Sequence, residues 1–551
     1  MIPSEPPAAT PVGALDRRSL LKGMGLGAGL IAAPLAAQAG EDGFAYGVAS
    51  GEPSADGVLL WSRYVAAQPA QVRWEVTDPT TGRVVAGGEV EASPERDWCL
   101  KVRAEGLAPG TWYSYRFIDA AGIASPEGRT RTLPEGDVER FRMAVFSCAN
   151  IGFGWFNAYR HAAEADEFDL VVHTGDYLYE YQAGNYPSPE QTIAGRVLNP
   201  AGEIVTLAEY RARHAIYRRD PDLQRLTQLY PMIMVWDDHE TANDSYADGA
   251  QNHQPESEGE WSVRKRVALQ AYREWLPVSD EDWASYDIGH LATIFRIETR
   301  LTARAEPFSV ADILAGKSDP EAVMRALSAF RQGDYLDPSR SMLGAVQEAW
   351  LAKGLKTSRA AGKQWQVLAQ QVLMGNSRAP SIIESAITDT LPEFVRQRLS
   401  AAMVASKAGI PSNLDAWDGY PAARDRLFQA SLEADANLVV LTGDTHNAWA
   451  FELDHGGARV GVEFGGQSVT SPGLETFLGR IPSDRLATAM VETNPQLKWV
   501  DTARRGYMAV ELTPQRASSE YRFLDTVRQR STRLAGTHVA TSPAGSRKLS
   551  D

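Results

Sequence analysis

From residue 141 onward the chain alternates short, fully apolar runs with stretches of helical periodicity, and this pattern limits the fold more than any other feature. The runs are MAVF at 143–146, LVV at 170–172, MIMV at 232–235 and LVVL at 438–441. Successive side chains of a strand point to opposite faces, so a run that is apolar at every position suits a strand buried on both sides. Helical stretches such as 155–166 and 260–276 lie between the runs. The pattern predicts an α/β layer architecture around a central sheet.

The preceding segment, residues 44–135, has the short alternating pattern of an all-β region instead. Its QVRWEVTD stretch alternates apolar and polar residues at period 2. Leu107, Pro109, Thr111, Tyr113 and Tyr115 form the L-x-P-x-T-x-Y-x-Y pattern typical of a tyrosine corner. We therefore expect an immunoglobulin-like β-sandwich before the α/β domain.

The predicted boundaries follow from these changes in pattern. They are a leader at 1–39, the β domain at 40–137, the α/β catalytic domain at 138–520 and a C-terminal tail at 521–551. The tail is rich in Ser and Arg, and we expect part of it to be disordered.

The leader has the features of a twin-arginine export signal. Arg17 and Arg18 precede an apolar stretch rich in Gly and Ala, and Ala37-Gln38-Ala39 provides an A-x-A cleavage pattern. A membrane anchor is the alternative, but Pro34 and the weak hydropathy of residues 23–33 argue against a spanning helix. The sequence thus predicts a periplasmic or secreted protein that uses the twin-arginine machinery and has no stable membrane span.

Charge and cysteine content exclude two further classes. The net charge of −15 argues against general attraction to nucleic acid. The two cysteines, Cys99 and Cys148, are too few for a disulfide framework in 551 residues. We expect free or metal-binding thiols.

Polar and ionisable residues follow four of the apolar runs. The four endings are SCAN at 147–150, GDYLY at 175–179, WDDHE at 236–240 and GDTHN at 443–447. Helix N-capping explains one or two of them, for example Asp176 or Asp444. It does not explain Cys, Tyr, Asp and His together at strand ends, where ligands bind in open α/β sheets. Because clustered buried carboxylates need a compensating cation, we predict a metal site.

The ligand types narrow the choice of metal. A phenol binds as phenolate only to a strong Lewis acid, which favours Fe³⁺ at Tyr179. Carboxylate and amide oxygens suit Ca²⁺ or Mg²⁺ at a second position, and Asp176 is the candidate bridge. A zinc site usually has more His or Cys, so Zn²⁺ is a weaker option.

The same motifs resemble the PhoD-type alkaline phosphatase/phosphodiesterase family over about residues 44–515. Further matching stretches are GVASGEP, GVLLWSR, RSMLGAVQEAWL, AWDGYPAARDRL, EFGGQSVTSPG and NPQLKWVDTARRGY. The resemblance implies a metallophosphoesterase-type catalytic domain of layered β-sheet and α-helices, related to purple acid phosphatases by the G-D-x-x-Y pattern.

The resemblance also implies roles for individual residues. Fe³⁺ would be held by Cys148, Asp176, Tyr179 and His446, and Ca²⁺ would face Asp176, Asp238, Asn243 and Asp444. Catalysis is assigned to Asp176 and to His239, which would contact the phosphate or protonate the leaving oxygen. Asn150, Arg300 and Arg304 are the substrate-binding candidates, and IETRLTAR at 297–304 departs from the family pattern at Glu298.

The predicted activity is hydrolysis of phosphate monoesters or diesters by a metal-activated water, with no nucleophilic role for Ser147. A phospholipase D-like enzyme acting on lipid or polymer diesters is one alternative. Iron–phenolate redox chemistry is another, although an Asp-rich second site argues against it. A third is an exported, non-enzymatic binding protein. We also expect part of the long 183–230 segment to lie near the site.

Overall fold

The structure is a computed structural model that describes residues 43–317, 319–389, 391 and 393–550. The predicted export signal at 1–39 lies outside these residues. Within them, no helix combines the length and the apolar character needed to cross a bilayer. Cys99 and Cys148 are both free, as predicted.

Twenty strands and twelve α-helices make up the described chain. The strands are β1 Val48–Gly51, β2 Gly57–Arg63, β3 Ala70–Thr77, β4 Val84–Ala92, β5 Cys99–Glu105, β6 Trp112–Ile118, β7 Gly128–Arg131, β8 Phe141–Phe146, β9 Leu170–His173, β10 Pro231–Met234, β11 Ala284–Ile288, β12 Ala292–Arg296, β13 Trp365–Ala369, β14 Leu438–Thr442, β15 Ala448–His455, β16 Ala458–Gly465, β17 Leu497–Asp501, β18 Gly506–Leu512, β19 Arg516–Leu524 and β20 Leu534–Pro543. The helices are α1 Asn157–Ala165, α2 Leu207–Arg218, α3 Pro221–Leu229, α4 Pro255–Glu258, α5 Trp261–Trp275, α6 Val310–Ile313, α7 Pro320–Gln332, α8 Gly344–Ala360, α9 Glu393–Lys407, α10 Pro421–Glu433, α11 Glu475–Leu478 and α12 Ser483–Thr493.

The strands form three sheets. A nine-stranded sheet has the order β20-β19-β18-β8-β9-β10-β1-β2-β5, and a seven-stranded sheet has the order β11-β12-β13-β14-β16-β15-β17. A four-stranded sheet has the order β4-β3-β6-β7. The middle of each large sheet is parallel, through β8-β9-β10 and through β12-β13-β14-β16.

The two large sheets pack face to face, and helices cover their outer faces. Val145 of β8 and Leu441 of β14 lie in the core between the sheets. Phe146, next along β8, packs instead with residues of α1, α3 and α5, and Val440 packs with α8, α10 and α12. Each apolar run therefore serves two cores, because successive side chains alternate between faces. The mixed α/β layer architecture is confirmed, and both faces of the central strands are buried as the runs predicted.

The N-terminal strands are shared between the β region and the large sheet. β1 pairs in parallel with β10, and β2 and β5 extend the same sheet. The four-stranded sheet packs on them through a core that includes Leu60, Leu100, Val76 and Phe117. The Ala108 N–H donates to the Tyr113 hydroxyl at 2.9 Å, which is the contact expected of a tyrosine corner. An immunoglobulin-like topology and the boundary at 137/138 stay predictions.

The C-terminal segment differs from the predicted tail. β20 pairs antiparallel with β19 along its length and forms one edge of the nine-stranded sheet. The His538 ring stacks on Trp499 with centroids 3.8 Å apart. β20 carries Gly, Thr and Ser, and Arg528, Arg530 and Arg533 precede it, so the composition of this edge segment resembles that of a disordered tail.

Burial of His214 on α2 generates a testable pH dependence of stability. Its ring stacks near Trp275, and neither ring nitrogen has a hydrogen-bond partner among the described residues. Burial, with the Arg218 charge as the second cause, lowers the pKa of His214 to about 3. The unfolded chain, with a His pKa of about 6.5, binds this proton more readily. The native state therefore loses stability as the pH falls from about 6.5 toward 3.

We expect His214→Phe, which preserves the aromatic stack, to flatten this dependence. As the pH falls from 6.5 to 5, the free energy of unfolding should decrease more steeply in the unsubstituted chain than in the variant. The two slopes should differ by up to about 1.4 kcal/mol per pH unit. Urea unfolding of both proteins at several pH values measures the difference. Equal slopes in the two proteins would show that His214 does not contribute.

Candidate metal centre

The loops that follow β8, β9, β10 and β14 bring the predicted residues together. Three overlapping groups each have ligand atoms within 4.8 Å of one another. The groups are Cys148–Asp176–His446, Asp176–Asp238–His239 and Asp237–Asp238–Asp444. Asp176 belongs to the first two groups and Asp238 to the last two. The strand ends thus converge from two different sheets.

Unusual backbone conformations turn these side chains inward. Cys148, Asp176, Asp444 and His446 have φ of 59°, 55°, 62° and 64°, in the left-handed region that non-glycine residues rarely occupy. Such conformations persist only where the surrounding structure holds them, and they cluster at functional sites.

Glycines before two of the aspartates let the loops approach closely. A Cβ on Gly175 would lie 2.4 Å from the Asp237 Cβ, and one on Gly443 would lie 2.5 Å from the Ser147 Cβ. The Gly-Asp pairs at 175–176 and 443–444 therefore combine two functions. Glycine removes the side chain that would separate the loops, and the aspartate supplies the carboxylate.

The first group is completed by Tyr179. Its hydroxyl donates to Asp176 Oδ2 at 3.0 Å and lies 3.3 Å from His446 Nε2. His446 Nδ1 lies 2.7 Å from the Pro472 carbonyl oxygen, so Nδ1 carries the proton and Nε2 is free to bind a cation. The Ser471 hydroxyl donates to the Tyr179 oxygen at 2.7 Å. The EFGGQSVTSPG stretch thus supports two of the candidate ligands.

The carboxylates of the site carry charge that the protein only partly compensates. Asp176 Oδ1 and Asp237 Oδ2 are buried and have no hydrogen-bond partner among the residues that the structure describes. Burial raises the pKa of both groups well above the ordinary value, and it raises the pKa of Asp444 to about 7. A bound cation would reverse this cost, since it favours the ionised form. The unpartnered oxygens and the donor types therefore fit a metal centre.

Arg300 supplies the compensation that the protein itself provides. Its fully buried guanidinium donates to Asp237 Oδ1, to Asp415 Oδ2 at 2.6 Å and to Asp444 Oδ1 at 3.1 Å. Arg304 is buried as well and donates to Asp415 and to the Tyr420 hydroxyl. Neither arginine lines the cavity that leads to the site. The predicted substrate contact of these two arginines has no support in this geometry, because their donors are committed to carboxylates.

Comparison with known proteins identifies the family of the chain. Residues 143–521 match the family model of the PhoD-like phosphatase, and residues 30–134 match that of its N-terminal domain. The chain belongs to the PhoD-like phosphatase family. The resemblance predicted from the sequence is thereby confirmed. The predicted enzyme class, phosphoric ester hydrolase, follows from this membership.

Two relatives show how far the likeness of this PhoD-like chain extends. Alkaline phosphatase D of Bacillus subtilis (strain 168) is 31% identical over 554 residues, which covers 93% of this chain and 85% of the relative. A solved structure described as "Structure of PhoD" superposes with a TM-score of 0.73 at 28% identity, covering 92% of each chain.

Asn150 does not line the cavity of this PhoD-like phosphatase either. Its side-chain oxygen accepts from the Gly152 N–H at 3.0 Å, and its amide nitrogen donates to the Tyr186 carbonyl at 3.2 Å. These contacts hold the loop that carries Tyr186, whose ring lies 5.9 Å from that of Tyr179. The polar atoms of Asn150 contact the backbone in this geometry, and its substrate contact stays a prediction.

Part of the 183–230 segment contacts the site, as predicted. Arg213 of α2 is fully buried and donates to the Tyr179 carbonyl, to the Tyr181 carbonyl at 3.2 Å and to the Pro200 carbonyl at 3.0 Å. One guanidinium therefore fixes the GDYLYE loop to the long segment that follows it.

Sequence reasoning assigned no role to Glu240 or Glu180, although both lie in the motifs. The Glu240 carboxylate accepts from the backbone N–H groups of Asp176 at 3.1 Å and Asp237 at 2.7 Å, so it ties two of the loops together. Glu180 Oε2 lies 2.7 Å from His239 Nδ1, and Oε1 accepts from the Asn243 N–H at 2.8 Å. In the sequence, the only indication of a role for these two glutamates is their position within the GDYLYE and WDDHE motifs.

The contact with Glu180 determines what His239 can do. Since Nδ1 faces Glu180, Nε2 is the nitrogen available to the cavity, which His239 lines together with Asp238 and Asn243. Burial opposes a charge on the ring, but Asp238 and Glu180 outweigh it and raise the pKa of His239 well above its ordinary value. The geometry thus supports a protonated imidazole directed at the site.

We expect Glu180→Gln to lower kcat about 10- to 100-fold with a smaller change in KM. The neutral amide can still contact Nδ1, but it no longer stabilises the positive charge on His239. The matched control is Glu274→Gln, since the Glu274 carboxylate contacts Arg211 and Gln270 and no residue of the three groups. Steady-state kinetics of both variants provide the test, and equal losses in the two would reject a specific role for Glu180.

Proposed function

We propose that this chain is an exported, metal-dependent phosphoesterase that hydrolyses phosphate monoesters, diesters or both through a metal-activated water. The observation that carries the proposal is the convergence of buried carboxylates around Asp176. Two oxygen atoms of these carboxylates, Asp176 Oδ1 and Asp237 Oδ2, have no hydrogen-bond partner among the described residues. The likeness to alkaline phosphatase D supports the same activity.

We assign Fe³⁺ to the first group, with Cys148, Asp176, Tyr179 and His446 as ligands. Thiolate, phenolate and imidazole beside a carboxylate favour a strong Lewis acid over Ca²⁺. We assign Ca²⁺ to the neighbouring oxygen-rich position, where Asp176, Asp238, Asn243 and Asp444 would be ligands. Mg²⁺ and Zn²⁺ are the alternatives that metal analysis tests.

The proposed mechanism divides the work between cations and side chains. Bound cations would supply polarisation of the phosphoryl oxygens and a water of lowered pKa. His239, held by Glu180, would donate its Nε2 proton to the leaving oxygen. Arg300 would hold Asp237 and Asp444 in place without touching substrate.

Export is proposed from the leader alone. The twin-arginine pattern at Arg17 and Arg18 suits a pathway that carries folded proteins, and a metal centre assembled from two sheets would form only after folding. The proposed location is the periplasm or the medium, with the twin-arginine machinery as partner. Cell fractionation of a variant with both arginines replaced by lysine tests this, and unchanged export would contradict it.

Asp176→Ala should abolish hydrolysis of p-nitrophenyl phosphate and of bis-p-nitrophenyl phosphate. We expect a loss of more than about 100-fold, because even residues behind metal ligands contribute about 10- to 100-fold. Asp137→Ala, at a carboxylate that is 99% exposed, is the control. Unchanged hydrolysis by Asp176→Ala would contradict the proposal. If the unsubstituted chain binds a phosphate ester but does not hydrolyse it, the result favours the alternative of a non-enzymatic binding protein.

The ferric assignment predicts a colour. Purified protein should contain iron and show a visible absorption band from a phenolate-to-iron transition, and Tyr179→Phe should remove that band. Metal analysis and absorption spectra of both proteins are the measurements. A fully active, colourless preparation without iron would contradict the assignment and leave the phosphoesterase proposal standing.

A further inference from the structure

We propose that the cavity at the metal centre selects phosphate esters that carry an apolar organic group. This inference rests on the proposed function and adds the substrate class. The cavity has a volume of about 380 Å³, which lies in the range of small-molecule sites. Asp176, Asp238, His239, Asp444 and His446 line its polar end.

The other end of the cavity is an apolar arm built from several elements. Its lining includes Leu373, Ile383, Leu399, Ala402, Phe477 and Met490. On α9, Val395, Leu399 and Ala402 are spaced i, i+4, i+7, so one face of that helix is directed into the cavity. Phe477 on α11 is 39% exposed, although it is a large apolar side chain. Apolar surface kept open beside a catalytic centre indicates an apolar ligand group.

The charges around the arm argue against a polyanionic substrate. Arg378 is the only arginine or lysine in the cavity lining that the structure describes, and its Nη2 donates to the Thr493 carbonyl at 3.3 Å. Asp415 and Asp418 line the same cavity and are paired with Arg300 and Arg424. Among the described residues that line the cavity, no row of cations continues from the candidate metal centre to bind further phosphates, as a polymer of phosphodiesters would require.

The polar end and the apolar arm belong to one continuous cavity, and this determines the orientation of a bound phosphate ester. A phosphoryl group beside His239 and Asp176 directs its ester substituent along the cavity, where the arm removes it from water. The gain grows with the apolar area buried. The occupant is therefore an aryl or medium-length alkyl group that the cavity encloses.

The test uses n-alkylphosphonates, whose carbon–phosphorus bond is not an ester and is not hydrolysed. Methyl-, butyl- and hexylphosphonate are titrated into the metal-loaded full chain by calorimetry and used as inhibitors of bis-p-nitrophenyl phosphate hydrolysis. We expect Kd and Ki to fall about two- to fourfold per added methylene. Equal constants for the methyl and hexyl compounds would overturn the inference.

Substitutions locate the effect in the arm. Ala402→Phe should fill it, raising Kd for hexylphosphonate more than about tenfold while leaving that for methylphosphonate within about twofold. Phe477→Ala should flatten the dependence on chain length. Ile123→Ala removes an apolar side chain that is 63% exposed and outside the cavity lining, and it should change neither constant. Equal loss of both phosphonates in Ala402→Phe would overturn the assignment to the arm.

The outcomes separate this inference from the proposed function. Hydrolysis of phosphate esters with no dependence of Kd on chain length rejects the apolar arm and keeps the phosphoesterase. Chain-length-dependent binding without hydrolysis of any ester rejects the phosphoesterase and keeps the arm as a binding site.

Discussion

The structure depends on how negative charge is held in the interior at one edge of its two large sheets. Asp176, Asp237, Asp238 and Asp444 crowd together where burial alone would favour their neutral forms. Arg300 offsets part of this charge, and two carboxylate oxygens remain without partners among the described residues. In the proposed function, bound cations would complete the balance, so the imbalance that would destabilise an empty site would favour cation binding.

Packing of one sheet on the other is what brings the charges into contact. Three of the four loops follow strands of the nine-stranded sheet, and the fourth follows β14 of the seven-stranded sheet. Glycine before Asp176 and before Asp444 allows the close approach, and left-handed backbone turns the carboxylates inward. The apolar runs thus have a second consequence. By filling the core between the sheets, they hold the strand ends at the spacing that the metal centre requires.

The proposed substrate-selecting residues lie in different elements from the candidate metal ligands. The candidate catalytic groups lie on short loops, which Glu240 ties to one another and Arg213 of α2 fixes to the following segment. Most of the proposed apolar arm comes from α9, α11 and α12, and Leu373 and Ile383 of the segment after β13 complete it. This separation is one way in which a common phosphoesterase core acquires different preferences.

The sequence by itself determined the layer architecture and the residue types of the centre, because strand periodicity and the G-D and D-H motifs depend on near neighbours in the chain. It did not reveal β20 as a strand, since an edge strand resembles a polar tail in composition. It also did not reveal the contacts of Arg300 with carboxylates that are 63, 115 and 144 residues away. Only the tertiary structure decided such contacts, together with the pairing of Glu180 with His239 and the assembly of the arm. The physical reason is that a charged side chain takes its role from whatever packing places beside it.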